Sequence, residues 1–422
     1  MHIVFVTCEL ATANNSSGGL ASFTANMARI FASNNHKVTI LLSTVKEQKL
    51  EFDENIILET IFIKKILWNF FDRSARLCTF PKREDSPEVR RFLVNIYRSR
   101  QVKRKINEIN KREKIDIIHY CNLGALAFSA GKKIPYVIRI SSFAVMCQEA
   151  RLPIMSDANV KYDVNKLSIK DKLVDYTLKK AKYVISPSNL LAEAGKQNLG
   201  IHVTVIESPF VLTRANWDYS LYNSILNNKK YIIHYGRLGY LKGTHIIAQI
   251  VNEIFQNYPD IYLVMVGGNE ELLDKDGKTI KADEAVRKSA GKYSKRVIYL
   301  GALVRNQLYP LVENAELCLL PSRIDNLPNT CIEAMAMGKI VVGTMGASFE
   351  QLIDDRISGF LCERDNPKSY LKAVNEALNM GEEEKKQMIS KAIERVDLLN
   401  PDVIYKKYLE FYQMVIDEWY DK

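Results

Sequence analysis

The sequence predicts an α/β chain made of two Rossmann-like, doubly wound parallel-sheet domains. Three observations carry this expectation. Short β-rich runs alternate with helical patterns along nearly the whole chain, as a parallel sheet covered by helices requires. The alternation restarts after a polar, Asn-rich stretch, Tyr222-Asn-Ser-Ile-Leu-Asn-Asn228. A length of 422 residues also exceeds what one hydrophobic core ordinarily organises. The domains are placed at 1–212 and 230–401, with a linker over 213–229 and a closing helix over 402–422.

Met1-His-Ile-Val-Phe-Val-Thr7 reads as a buried first strand over 2–7. Further strands are expected at 37–43, 56–63, 115–119, 134–140, 182–186 and 202–206, with helices at 19–34, 88–113, 122–132, 166–181 and 188–199. In the second half strands fall at 230–235, 261–267, 296–300, 316–320, 339–343 and 359–362. Helices there are expected at 243–257, 282–292, 305–314, 328–337, 348–354, 367–379 and 382–397. The last helix, 402–420, repeats Tyr405, Tyr408, Phe411, Tyr412, Val415 and Trp419 at a spacing that suits one packed face.

The apolar fraction of 47% and charged fraction of 26% are those of an ordinary globular protein. No run of about twenty apolar residues is available to span a membrane. The N-terminus lacks the basic region and small-residue cleavage site of a signal peptide. Seven cysteines, an odd number without C-x-x-C spacing, suit reduced thiols rather than a disulfide frame or a zinc site. Together these predict a cytoplasmic protein.

The net charge of +10 is concentrated. Residues 82–114 hold twelve Lys/Arg against five Asp/Glu, a local +7 that leaves +3 for the rest. Just upstream lies the basic, aromatic run Ile63-Lys-Lys-Ile-Leu-Trp-Asn-Phe-Phe-Asp-Arg73. Segment 63–114 therefore suits peripheral contact with anionic lipid at the inner face of a cytoplasmic membrane. A solvated helix face over a core strand is the plain alternative. Nucleic acid is not an expected partner, because no nucleic-acid module accompanies the charge.

Two motifs at strand ends carry the chemistry. Gly236-Arg-Leu-Gly-Tyr-Leu-Lys-Gly243 follows strand 230–235 and offers two cations, Arg237 and Lys242, from a turn that glycines permit. Pro321-Ser-Arg-Ile-Asp-Asn-Leu-Pro-Asn-Thr-Cys-Ile-Glu-Ala-Met-Ala-Met-Gly338 follows strand 316–320 and offers Asp325 and Glu333. In open α/β sheets ligands bind beyond such strand ends. Cations suit a diphosphate and carboxylates suit ribose and sugar hydroxyls. Pro328 fits the first turn of the next helix, and the backbone N–H groups of Asn326, Leu327 and Asn329 can face an anion there. Thr330-x-x-Glu333 also fits a capping box, which would make Glu333 structural. Gly267-Gly268-Asn269 and Gly301 end neighbouring strands and are placed beside the nucleotide base, or are simple turns. Asp274-Lys-Asp276 has the D-x-D form of a metal motif but sits in a polar loop, and reads as a surface turn.

This pairing of motifs resembles the donor half of the retaining glycosyltransferases of family four, which have the GT-B fold. The carried-over signature is a carboxylate, seven residues and a glutamate before Ala-Met-Ala, here Asp325 through Glu333. The resemblance implies that Arg237 and Lys242 hold the diphosphate, Glu333 the ribose hydroxyls and Asp325 the transferred sugar. It implies catalytic roles for Arg237, Lys242 and Asp325, with Gly236 and Pro328 also in the donor site. Two domains would face a central cleft, and the final helix would cross back to the first. The usual first carboxylate is Glu, so Asp325 is shorter by a methylene. The usual Gly-Phe-Gly is Asn326-Leu-Pro328, a variant of polysaccharide-assembly members. The partners implied are a UDP- or GDP-sugar and a surface-polysaccharide or lipid-linked oligosaccharide acceptor. No cofactor and no metal are expected, since the two cations can neutralise the leaving group.

On the first domain, Asn14-Asn-Ser-Ser-Gly-Gly19 follows the first strand, and Gly18 and Gly19 match in position the family's loop that touches the donor phosphate. His119, Asn122 and Arg139, at the ends of strands, are the acceptor-side candidates. Many relatives carry a histidine where this chain has Cys121, so His119 is either a site residue or a buried, satisfied histidine. Arg139 is either an acceptor contact or half of an ion pair. Residues 143–165 read as an acceptor-facing loop. A non-catalytic GT-B subunit binding a partner or glycan is the competing class. A nicotinamide-dependent oxidoreductase is disfavoured, because G-x-G-x-x-G is missing after the first strand.

Overall fold

Six consecutive buried residues, His2–Thr7, form strand β1, an interior strand of a parallel sheet. The structure, a computed structural model, describes residues 1–12, 18–44, 51–79, 86–153, 167–274 and 276–421. These form two compact units. One comprises Met1–Val145, Tyr162–Pro209 and Pro401–Lys422, and the other Met146–Lys161 and Phe210–Asn400. Among the described residues no helix is long and apolar enough to cross a membrane.

In the first unit, β1 is joined by β2 (Lys37–Thr44), β3 (Ile57–Phe62), β4 (Ile117–Cys121), β5 (Tyr136–Arg139), β6 (Val184–Ser186) and β7 (Thr204–Val205). The order is β3-β2-β1-β4-β5-β6-β7, parallel throughout, and it reverses between β1 and β4. Helix α1 (Gly19–Ser33) buries Phe23, Met27 and Phe31. The basic aromatic run lies in α2 (Lys65–Cys78), which packs Phe71 into a small core with Ile63 on the sheet side and Val94 of α3 (Ser86–Arg112). The chain passes into the other unit within α4 (Ala144–Glu149) and returns before α5 (Ile169–Lys180) and α6 (Asn189–Leu199), each of the latter two capped by a serine hydroxyl, Ser168 and Ser188.

The helix expected over 122–132 is a single turn at Leu123–Ala125. Gly124 and Ala125 have φ of 69° and 49°, which a right-handed helix cannot continue through. Asn122 enforces the bend: its amide donates to Ser142 O (2.9 Å) and accepts from Ser141 N–H (2.9 Å), tying the end of β4 to that of β5.

The second unit holds a short helix α7 (Ser220–Ile225) inside the expected linker, then β8 (Lys230–Tyr235), α8 (Thr244–Asn257) and β9 (Ile261–Val266). An unforeseen hairpin, β10 (Glu271–Leu273) with β11 (Thr279–Lys281), precedes α9 (Ala282–Ala290) and β12 (Val297–Tyr299). There follow α10 (Arg305–Glu313), β13 (Leu317–Leu320), α11 (Asn329–Ala336), β14 (Ile340–Thr344), β15 (Phe360–Cys362), α12 (Pro367–Asn379) and α13 (Glu382–Asp397). The parallel sheet runs β12-β9-β8-β13-β14-β15, with its reversal between β8 and β13. The expected helix 348–354 is one turn, Phe349–Gln351, entered through Ser348 at φ 68°.

Helix α8 buries Ile246, Ile247, Ile250, Val251, Ile254 and Phe255 along one stripe. At about 1.5–3 kcal/mol for each fully buried large side chain, that stripe fixes the helix, and so the loop that enters it. The last helix, α14 (Pro401–Tyr420), belongs to the first unit, where Tyr412 stacks on Phe31 at 5.5 Å and Tyr405 meets the His36 ring at 2.8 Å.

Candidate active site

β8 and β13 are hydrogen-bonded neighbours, so the loops after them, 236–243 and 321–328, leave the sheet side by side. Close backbone contact joins them. Arg323 N–H donates to Leu241 O at 2.9 Å. At Gly243, φ is 71° and a Cβ would stand 1.8 Å from Pro321 O, so only glycine fits. On the other flank Gly267 has φ 137°, and a Cβ there would stand 1.6 Å from Gly236 O. Gly267 N–H donates to Gly301 O at 2.7 Å. The loops after β9 and β12 thus sit beside Gly236, with open space next to Gly268 and Gly301.

A buried relay supports the first loop from below. His234 on β8 faces Leu319 O through Nδ1 (2.9 Å) and Thr244 Oγ1 through Nε2 (3.1 Å), and Gly239 N–H donates to Thr244 Oγ1 (2.9 Å). A carbonyl only accepts, so Nδ1 carries the proton and Nε2 accepts from the threonine hydroxyl. Burial pushes the His234 pKa down to about 4.

Arg237 extends from this loop with its side chain 63% exposed, 3.5 Å from Glu270. Lys242 points to the second loop and forms an ion pair with Asp325, both side chains about one-fifth exposed. Asp325 is further fixed by Ser348 Oγ, which donates to its carbonyl at 3.0 Å, and by Asn326 N–H at 3.2 Å on its carboxylate. Leu327 is buried, Pro328 caps α11, and Asn329 is the first helical residue. Pro328 as cap removes the capping-box alternative, because Thr330 lies inside the helix. The Glu333 carboxylate instead accepts from Tyr309 Oη at 3.0 Å and lies 3.7 Å from Arg305. Burial raises its pKa, opposed by the Arg305 charge and the Tyr309 hydrogen bond. In one unit, then, the structure brings together Gly236, Arg237, Lys242, Asp325, Asn326, Leu327, Pro328, Asn329 and Glu333 on two adjoining loops and the helix that follows.

Sequence reasoning passed over Arg323. Its guanidinium is 3% exposed, with Nε donating to Asp365 at 2.8 Å. Nη1 donates to Leu152 O and Nη2 to Pro153 O at 3.3 Å, and Tyr240 lies beneath at 5.4 Å. The residues expected to form an acceptor-facing loop thus include α4 and a stretch, Ala150 to Pro153, pinned to the Asp325 loop; residues 154–165 lie outside the described residues. The only sign in the sequence was an arginine two residues before Asp325 in the strand-end motif. Asp274 and Asp276 belong to the β10–β11 turn, where the Asp274 carboxylate accepts from Asp276 N–H (3.0 Å) and Lys278 N–H (2.9 Å) and pairs with Lys288 (3.0 Å).

In the first unit Gly18 caps α1, with open space beside it, and Gly19 begins the helix; residues 14–17 of that loop lie outside the described residues. The three residues expected on the acceptor side are held by packing within the first unit. His119 is enclosed by Phe5, Phe23, Tyr408 and Tyr412, with Nδ1 2.5 Å from Tyr412 Oη. Burial and then the Arg139 charge hold its pKa well below the ordinary value. Arg139 is buried too, lying 3.8 Å over the Phe23 ring and donating to Ser141 Oγ (3.2 Å) and Ser208 Oγ (2.9 Å). Asn122 spends its amide on the β4–β5 tie. All three residues are buried, and Asn122 lines a cavity with Gly124, Ser142 and Asp171.

Residues 17–214 match the family model described as Glycosyltransferase Family 4, and residues 222–395 the one described as Glycosyl transferases group 1. The chain is 29% identical over 157 residues to an uncharacterized glycosyltransferase of Haemophilus influenzae, covering 36% of this chain and 40% of that protein. It is 22% identical over 206 residues to a lipopolysaccharide 1,2-N-acetylglucosaminetransferase of Salmonella typhimurium, covering 47% and 51%. The chain therefore spans about half or less of these relatives. Two solved structures share its fold along its length. Sucrose-phosphate synthase from Thermosynechococcus elongatus matches with a TM-score of 0.70 at 13% identity over 99% of both chains. Anabaena HepE in complex with UDP matches with a TM-score of 0.64 at 14% identity over 98% of this chain and 100% of that one.

Proposed function

Because this chain belongs to the glycosyltransferases of family four and has the GT-B fold, we propose that it moves a glycosyl unit from a nucleotide diphosphate-sugar to an acceptor hydroxyl, with retention at the anomeric carbon. The observation that carries this reading is the joining of the Arg237/Lys242 loop to the Asp325–Glu333 loop at the ends of adjacent strands. Arg237 is exposed enough to fold onto a diphosphate. Lys242 is held by Asp325, and phosphate oxygens would compete for its ammonium, freeing the carboxylate for sugar hydroxyls. Glu333, buried at the foot of α11 with one oxygen on Tyr309, would accept from ribose hydroxyls.

In the proposed step the bond between the anomeric carbon and the diphosphate oxygen breaks while the acceptor oxygen bonds the same carbon on the same face. The acceptor proton passes to the departing phosphate oxygen, whose charge Arg237 and Lys242 stabilise. These two cations do the work a divalent metal does elsewhere, so transfer is proposed to be metal-independent. The acceptor class proposed is a surface-polysaccharide or lipid-linked oligosaccharide hydroxyl, supported by the lipopolysaccharide transferase among the relatives. UDP and GDP are the proposed nucleotides, and UDP comes first because HepE, of the same fold, is described with UDP.

Calorimetry of the full chain with UDP, GDP, ADP and CMP, each with and without EDTA, tests this. Selective binding of one nucleoside diphosphate, unaffected by EDTA and weakened about tenfold to a hundredfold in Arg237→Ala, is the expected result. Binding of none of them would refute the donor site and leave a non-catalytic subunit as the better reading.

A further inference from the structure

Helix α2 has two faces of opposite chemistry. Phe71 and Ala75 are buried on the side that packs against α3. On the other side Ile66, Phe70 and Leu77 are 78%, 61% and 73% exposed. Their spacing places them within about 40° of one another around the helix, so they form a single ridge. Arg73, also exposed, lies on that ridge, and exposed Lys64 and Lys65 stand at its start. The one acidic residue of the helix, Asp72, is engaged by Arg76 (2.9 Å) and Arg90 (2.7 Å). Beyond the α2 contact, α3 shows further exposed basic residues, among them Arg100, Lys103 and Arg104.

Single exposed apolar residues are common, but a continuous ridge of three large ones is the mark of a covered surface. The charge frame selects the covering. Two copies meeting through this face would bring Lys64, Lys65 and Arg73 against their own equivalents, which like-charge repulsion opposes. A surface with an apolar interior and an anionic boundary satisfies both features together, and a helix lying in its plane needs this apolar ridge with basic residues beside it.

We propose that α2 lies in the surface of an anionic lipid bilayer, with Ile66, Phe70 and Leu77 among the acyl chains and Lys64, Lys65 and Arg73 at the headgroups. This serves the lipid-linked acceptor class proposed above but does not rest on the transfer reaction, since every residue involved lies in the first unit. Cosedimentation of the full chain with vesicles of phosphatidylglycerol and phosphatidylcholine in equal parts, and with pure phosphatidylcholine, tests it directly. The full chain is expected to pellet with the anionic vesicles and to bind the neutral ones about tenfold or more weaker, with salt eroding the difference. Ile66→Ser/Phe70→Ser/Leu77→Ser should lower anionic-vesicle binding by about tenfold or more. Its melting temperature and UDP binding should stay close to those of the wild type, because Ile66 and Leu77 are more than 70% exposed and Phe70, 61% exposed, gives up only an edge-on contact with Phe71. Lys64→Gln/Lys65→Gln/Arg73→Gln should abolish the preference for anionic lipid. Failure of the wild type to pellet, equal binding to both vesicles, or undiminished binding by the triple serine variant would overturn the proposal. So would light scattering that shows a dimer for the wild type and a monomer for that variant.

Discussion

Acidification should loosen the Arg237/Lys242 loop through His234, by an amount the structure sets. In the native state burial keeps His234 neutral down to about pH 4, whereas its ordinary pKa is 6.5. The unfolded chain therefore takes up a proton in that window that the native state refuses. Stability is full above pH 6.5 and is lost as the pH falls toward 4, by about 3 kcal/mol when complete. The loss is local in origin. A proton on Nε2 removes the acceptor for Thr244 Oγ1, the same hydroxyl that receives Gly239 N–H. Hydrogen exchange read by mass spectrometry on peptides covering β8 and the start of α8 measures it. Corrected for intrinsic rates, exchange there should rise about a hundredfold between pH 6.5 and 4. His234→Gln, which cannot titrate, should remove that pH dependence. Equal protection at both pH values, or the same slope in His234→Gln, would refute the reasoning.

Asp325→Ala should slow transfer strongly yet leave nucleoside diphosphate affinity within about fivefold, since its carboxylate is assigned to the transferred sugar and not to the diphosphate; equal loss of turnover and affinity, by kinetics and calorimetry, would remove its assigned role. The Glu333 carboxyl, raised by burial, takes up its proton at a higher pH than an ordinary glutamate of pKa 4.5. Nucleotide affinity should thus begin to fall on acidification while ordinary carboxylates are still ionised, and calorimetry across pH should find Glu333→Gln weaker throughout and flat over the same range. Gly267→Ala would drive a Cβ into Gly236 O, at a cost of about 4 kcal/mol or more, and should lower the melting temperature by about 10 °C in a thermal scan.

The parts of this fold that the sequence made legible are those where local and tertiary demands agree. Helices α12 and α13 begin and end where their patterns do, because Asn366 caps the first and Gly381 opens the second. The positions of the Arg237/Lys242 and Asp325 loops were legible for a related reason: their charged residues follow strands closely, so strand position locates them. Other features were hidden because one long-range contact decides them. The run 122–132 has helical periodicity, yet the Asn122 tie to Ser141 and Ser142 bends the chain after one turn. Thr330-x-x-Glu333 has the letters of a capping box, but the register of α11 starts at Asn329, and Glu333 turns to Tyr309, a residue of another helix. The surroundings of His119 were hidden too, because α14, almost three hundred positions away, supplies two of the four aromatic rings around it. His234 and Arg323 were silent because a single polar residue does not announce a partner that is distant in the chain.

The grip of Arg323 on Leu152 and Pro153 means that this protein's second unit is not a contiguous length of gene. A truncation that begins at the usual boundary near residue 210 would strip the guanidinium of its carbonyl partners while leaving it walled in beside Asp365, so the piece would be missing a wall of its own interior. Recombination faces the same constraint. Swapping second halves between relatives would pair one parent's arginine with the other parent's carbonyl-bearing stretch, and a hybrid keeps its Asp325 loop in place only if the two short segments are inherited together.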